Sequence, residues 1–272
     1  MKNIEEITKQ LEEGVKNVFE SDNYKNYLDC MSKFYNYSVN NSILIFMQKP
    51  DASLVAGYQA WQKKFKRQVK KGEKAIKILA PIPHKMKKEV ENENGEKEEK
   101  EISWTSFRAV NVFDVSQTDG EELPTIANEL TESVENFNEL YNKLEKISPV
   151  PVSYEAITSG ANGYFSHTEK RIAIREGMAE QQTIKTLIHE ISHAILHDKE
   201  TGEEAEADRR TKEVQAESVA YVVCNFLGLD TSDYSFGCVA GWSGCKEAKQ
   251  LTASMEVIRK TASAIIEELR AA

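Results

Sequence analysis

Residues 184–195 restrict this chain more than any other stretch. Ile184, Leu187, Ile188, Ile191, Ala194 and Ile195 recur at i, i+3, i+4 and i+7, which predicts an amphipathic helix with a continuous apolar stripe. His189 and His193 are four positions apart and share one face of that helix, with Glu190 directly after the first. Two imidazoles so spaced can reach one cation, and the adjacent carboxylate can hydrogen-bond a water held there. Zinc lowers the pKa of such a water to about 7, and Glu190 is placed to take its proton. The expected cofactor is therefore Zn2+, and the expected chemistry is attack of hydroxide on a carbonyl.

A catalytic zinc needs a third protein ligand. The next helix, read over about 204–227, offers Glu213 and Glu217 one turn apart. Glu213 is taken as the ligand and Glu217 as the carboxylate that orients a histidine N–H, with the reverse assignment open. His197, one turn beyond His193, is either a further metal neighbour or a supporting group. The glycine and third histidine of the longer metzincin signature are absent. Tyr164, Tyr221 and Tyr234 are candidates for oxyanion support, and the sequence does not choose among them. Substrate backbone is expected along the Arg171–Ile174 strand.

Elsewhere the pattern predicts an α+β chain in two parts, residues 1–120 and 125–272. Apolar residues at helical spacing mark helices over Ile4–Phe19, Tyr24–Tyr35 and Asn41–Gln48, the last stopped before Pro50. A helix or turn around Trp61 and Phe65 and a turn at Lys71-Gly72-Glu73 lead to a strand over Ala75–Leu79. Residues 85–101 are almost all charged or polar and predict a mobile hairpin loop, with a return strand over Ile102–Phe113. Residues 115–124 read as a linker. A helix over Thr125–Ile147, a strand near Val150–Tyr154 and a hairpin of Tyr164-Phe165 with Arg171–Ile174 follow. Three helices, about 180–197, 204–227 and 243–270, end the chain.

The net charge is −9, but it is uneven. Residues 1–125 hold 20 basic and 20 acidic side chains, whereas 126–272 hold 15 and 24. Trp61–Lys88 carries eleven Lys or Arg and one acid, Glu73. Within it Tyr58, Trp61 and Phe65 interleave with Lys63, Lys64, Lys66, Arg67, Lys70 and Lys71. Cations along phosphates and aromatics under bases are how single-stranded nucleic acid is held, so these nine residues are the candidate DNA contacts. A solvated lysine-rich face is the alternative. No run of 18 apolar residues exists, so no membrane span is expected. The charged N-terminus carries no apolar signal stretch, which makes a cytoplasmic location the default. Cys30, Cys224, Cys238 and Cys245 form no C-x-x-C pair and are expected to be free thiols.

Tyr37-Ser38, Asn41, Leu44-Ile45, Gln48, Pro50, Ala52, Gly57-Tyr58, Trp61, Lys71–Ala75, Pro81 and a return strand from Trp104 to Asp114 occur in one order. That order resembles the N-terminal domain of ArdC-type antirestriction proteins, which mobile elements and conjugative plasmids encode. The second half is similar to the zincin domain of the same proteins. It is similar too to the ImmA/IrrE metallopeptidases, which share H-E-x-x-H-x-x-x-H followed by a glutamate helix. The resemblance implies a single-stranded-DNA-binding domain followed by a gluzincin-like zinc metallopeptidase domain. By position it implies His189, His193 and Glu213 as ligands and Glu190 as base, with a protein or peptide substrate. Two other functions fit the same residues: a non-catalytic DNA-protecting protein with a structural zinc, and a regulatory peptidase that cuts a repressor.

Overall fold

The computed structural model describes residues 2–19, 21–91, 97–123, 137–232, 234, 236, 239–244 and 246–271. Three helices open the chain: α1 (Lys2–Val18), α2 (Ser21–Lys33) and α3 (Val39–Gln48). Ser38 caps α3, its hydroxyl accepting from the Asn41 amide at 3.4 Å. The apolar positions of the first two helices turn inward as their spacing predicts, with Ile7, Val15, Val18, Tyr24, Tyr27, Leu28 and Met31 buried.

A three-stranded antiparallel sheet follows, in the order β1 (Val55–Gly57), β4 (Lys97–Asp114), β3 (Ile76–Glu91). The short helix α4 (Tyr58–Lys63) leads to β2 (Arg67–Val69), which pairs with β5 (Thr118–Gly120). Two expectations are corrected here. Residues 85–91 and 97–101 are not a structureless loop; residues 92–96 lie outside the described residues. The ladder of β3 and β4 runs out to Glu91 opposite Lys97, forming a long two-stranded ribbon. Backbone pairing does not depend on side-chain polarity, so the polar sequence concealed the ribbon. Residues 115–123 are not a plain linker either, since a 3-10 turn (Val115–Gln117) and β5 occupy them. Asp114 fixes that turn: one carboxylate oxygen accepts from the Ser53 and Leu54 amides and the other from Ser116. Burial alone would raise its pKa, but these hydrogen bonds outweigh it and hold the carboxyl below the usual range.

After α5 (Phe137–Ile147) comes a second sheet in the order β6 (Val152–Glu155), β8 (Arg171–Arg175), β7 (Gly163–Ser166). β6 is parallel to β8 and β7 antiparallel to it. The central position of β8 explains why Ile172, Ala173 and Ile174 are all fully buried. It also corrects the expected substrate strand. β8 is paired on both sides, so it has no edge left for a peptide, and β7 is the edge strand on that side.

The last helices are α6 (Glu180–Leu196), α7 (Arg209–Phe226), the short α8 (Val239–Ser243) and α9 (Ala248–Ala271). α7 starts later than its sequence pattern suggests, because Asp208 caps it, accepting from the Thr211 amide at 3.0 Å and from its hydroxyl. The predicted helix from Thr125 lies, up to residue 136, outside the described residues, as do Cys238 and Cys245. Cys30 is a free thiol, and both Cys30 and Cys224 are buried.

Among the described residues the apolar interior falls into two clusters. A small one joins Cys30, Phe34 and Ile45 to Val55, Ile76, Ile78 and Val112 of the first sheet. The large one packs Val15, Tyr24, Tyr27 and Leu28 of the first two helices together with Ile188 and Ile191 of α6, Val219 of α7 and Ile258 of α9. Among the described residues no helix is long and apolar enough to cross a membrane.

Candidate metal centre

α6 and α7 bring the predicted ligands together. Nε2 of His189 and Nε2 of His193 are 3.1 Å apart. Oε2 of Glu213 lies 3.8 Å from each of them. These three side chains are the one cluster among the described residues whose donor atoms all lie within 4.8 Å of one another. Two imidazole nitrogens and a carboxylate oxygen suit a divalent cation of the zinc or manganese kind. Glu217 stands behind the cluster, 3.2 Å from Nδ1 of His189. The approach is close but poorly aligned, so that nitrogen makes no formed hydrogen bond. Glu213 thus faces both imidazoles, and Glu217 backs one of them.

The electrostatics follow from this crowding. Burial pulls the His189 imidazole down, but Glu217, Glu190 and Glu213 outweigh it and the net shift is upward. Glu190 is buried, and desolvation raises its carboxyl against the opposing pull of His189 and His193. The backbone N–H of Phe165 in β7 faces that carboxylate and lowers it in part. Glu213 is shifted down, first by His193 and then against some burial. His197 is fully buried and its imidazole is lowered to about 4, chiefly by burial.

A cleft of about 300 Å³ opens beside the cluster, lined by Asn162, Gly163, Gln182, Lys185, Thr186, His189, Glu190, Glu217 and Tyr234. Gly163 is required there: a Cβ would stand 2.7 Å from the Thr186 side chain and 2.9 Å from the Ala173 carbonyl. The structure separates the three tyrosines. Tyr234 lines the cleft, with its hydroxyl 3.7 Å from Cys224 Sγ. Tyr221 is buried and donates to Asp29. Tyr164 is exposed and donates to Glu155.

The candidate DNA residues do not form one surface. Trp61 is fully buried and its indole N–H donates to the Phe113 carbonyl at 2.9 Å, so it cannot lie under a base. Phe65 is half-buried against it, ring centroids 4.9 Å apart. Arg67 is engaged by Thr118, Gly120 and Glu121 and ties down β5. These are corrections: regularly interleaved aromatics were read as a stacking face, and here they are the packing of α4 on β4. Tyr58, Lys63, Lys64, Lys66, Lys70 and Lys71 are exposed. Of these, Lys66 pairs with Glu121 at 3.8 Å and Lys70 with Asp119 at 3.5 Å.

The sequence reading missed Gln215, whose contacts cross between helices, and the Phe165 amide, which has no side-chain signal. It also missed an exposed aromatic on the ribbon: Trp104 is 48% exposed and stacks on His84 at 5.1 Å. A strand pattern alone does not say that its face is left uncovered.

Residues 2–113 match the family model of the N-terminal domain of anti-restriction factor ArdC. Residues 147–224 match that of the IrrE N-terminal-like domain, a peptidase family, and include both histidines, Glu190 and Glu213. The fold is similar to that of the antirestriction ArdC protein from the R388 plasmid. The metal-free crystal structure is 20% identical, covers 86% of each chain and gives a TM-score of 0.52. The Mn(II)-bound one is 18% identical, covers 86% of this chain and 85% of that one, and gives 0.51. A curated relative, the uncharacterized protein pXO2-81 of Bacillus anthracis, is 28% identical over 87% of this chain. The chain spans 46% of that relative's length.

Residues 147–224, which hold the cluster, are thus similar to a peptidase-family domain of the IrrE kind. Ahead of them, residues 2–113 are similar to the N-terminal domain of ArdC-type antirestriction proteins, in the same order as the sequence resemblance implies.

Proposed function

We propose that the chain is an antirestriction accessory protein of a mobile element. Residues 1–120 bind single-stranded DNA, and residues 125–272 form a zinc-dependent peptidase acting on a protein substrate. The observation that carries the peptidase reading is the convergence of His189, His193 and Glu213 beside the buried Glu190, at the wall of an open cleft.

His189, His193 and Glu213 would hold a zinc ion, which when bound would supply Lewis acidity for a carbonyl and for water. Glu190 is the general base. Its burial raises its pKa, and the backbone N–H of Phe165 faces it. The substrate backbone adds to the outer edge of β7, whose Gly163 lines the cleft. Of the three tyrosines, Tyr234 is the one that lines the cleft. Glu190→Gln keeps the ligands and removes the base. It should bind zinc as the parent does and cleave nothing, and cleavage at the parental rate would refute the mechanism.

The DNA reading rests on the ArdC-type domain and on the exposed Tyr58, Lys63, Lys64 and Lys71. The sequence from residue 88 to residue 100 suits a polyanion poorly, with six acidic and three basic side chains. We therefore place the DNA surface at the base of the ribbon, around α4 and the Lys71 turn. Fluorescence anisotropy of the whole chain with labelled single strands and duplex, across a salt series, tests this. Tighter binding to single strands is expected, and no binding at low salt would remove DNA from the account.

A further inference from the structure

We propose that His197, Gln215 and Glu204 form a one-way hydrogen-bond chain that decides which nitrogen of His193 is free for a metal. Gln215 and Glu204 are then positioning residues of the centre, although neither faces the cluster. The inference rests on His193 being a ligand through Nε2.

Nε2 of His193 points at the His189–Glu213 cluster, so its lone pair must be bare and the ring proton must sit on Nδ1. Nδ1 of His193 is 2.9 Å from Nδ1 of His197. Two nitrogens cannot both donate to each other, so His197 Nδ1 is the acceptor. The His197 proton is then on Nε2, which lies 3.0 Å from Oε1 of Gln215 and donates to it. The Gln215 amide nitrogen, in turn, donates to Ser254 Oγ at 3.1 Å and to Glu204 Oε2 at 3.3 Å.

The far end sets the direction. A carboxylate only accepts, so Glu204 forces the Gln215 NH2 toward itself and the carbonyl toward His197. Reversing the chain would turn Gln215 Oε1 onto the Glu204 carboxylate, opposing two acceptors. His197 is 0% and Gln215 1% exposed, so no water relieves a wrong polarity. Glu204 is itself held in place, its N–H donating to the Leu196 carbonyl at the end of α6 at 2.9 Å. Partners of this kind, which orient a ligating histidine, are worth about 10–100-fold in metal affinity.

The test uses the full chain. In the metal-free protein, 15N-detected NMR of the imidazoles should show His197 protonated on Nε2 and bare on Nδ1. Zinc affinity, measured by competition with a chelator, should fall about tenfold in Glu204→Lys, whose ammonium only donates and so turns Gln215 Oε1 away from His197. In the double variant Glu204→Lys with Gln215→Glu, the carboxylate at position 215 accepts both from His197 and from position 204, which restores the direction. Its affinity should recover to within a few-fold of the parent. A purely structural role predicts additive loss instead. Nδ1-protonated His197, or a Glu204→Lys variant that binds zinc like the parent, would overturn the proposal. If the parent bound no zinc, the ligand assignment would fail, and the imidazole tautomers would still decide the direction of the chain.

Discussion

The hydroxyl of Tyr24 lies 2.8 Å from that of Ser218, fully buried, and joins α2 to the turn of α7 that carries Glu217. Ser218 donates to the Val214 carbonyl at 2.6 Å, so Tyr24 is the donor between them. Nearby, Asp29 accepts from the Tyr221 hydroxyl and, at 2.8 Å, from the Asn225 amide. The first helices are thus part of the core on which the metal helices rest. Tyr24→Phe should cost about 1 kcal/mol, the worth of one hydrogen bond, and Tyr24→Ala about 3–5 kcal/mol. Residues 125–272 alone should lack a cooperative unfolding transition. A sharp transition for that fragment in urea would show that the helices are dispensable.

Trp61 fills the space between α4 and β4. Trp61→Ala should destabilise the chain by about 3–5 kcal/mol in chemical denaturation. Where the variant remains folded, the salt slope of DNA binding should be unchanged, since the side chain carries no charge and touches no solvent. An altered slope in a folded variant would return Trp61 to the surface.

Neutralising Lys63, Lys64 and Lys71 together should weaken single-strand binding and lower the salt slope by about 0.7 for each phosphate that is no longer neutralised. Binding titrations at several salt concentrations read both quantities. An unchanged slope would move the DNA surface elsewhere.

Asp114 gives acid sensitivity of known sign. Its folded pKa lies below the ordinary carboxylate value, so its contribution is present above that value and is lost as pH falls through the folded pKa. Asp114→Asn should therefore destabilise the chain at neutral pH and flatten the loss of stability on acidification. Thermal melts from neutral pH down to the acid limb check it. Equal acid slopes for parent and variant would contradict the assignment.

Much of the centre was legible in residue spacing. His189 and His193 share a helical face by periodicity, and Glu213 falls a loop and a turn later. What stayed hidden depends on contacts distant in the chain. Whether Trp61 meets solvent is decided by Phe113, 52 residues away. β2 and β5 are three residues each, too short for a periodic signal, and they exist because they pair. The ribbon beyond Pro83 has few apolar residues, so its pattern is that of a loop. β8 was correctly read as a strand, but its central place follows from having two partners, which no local pattern states.

The most direct test is the zinc content of the purified chain and of four variants, His189→Ala, His193→Ala, Glu213→Gln and Glu217→Gln, by equilibrium dialysis followed by elemental analysis. The account predicts one tightly held zinc per parent chain, loss in the first three variants, and retention with weaker affinity in Glu217→Gln. No zinc in the parent, or full retention in Glu213→Gln with loss in Glu217→Gln, would contradict it.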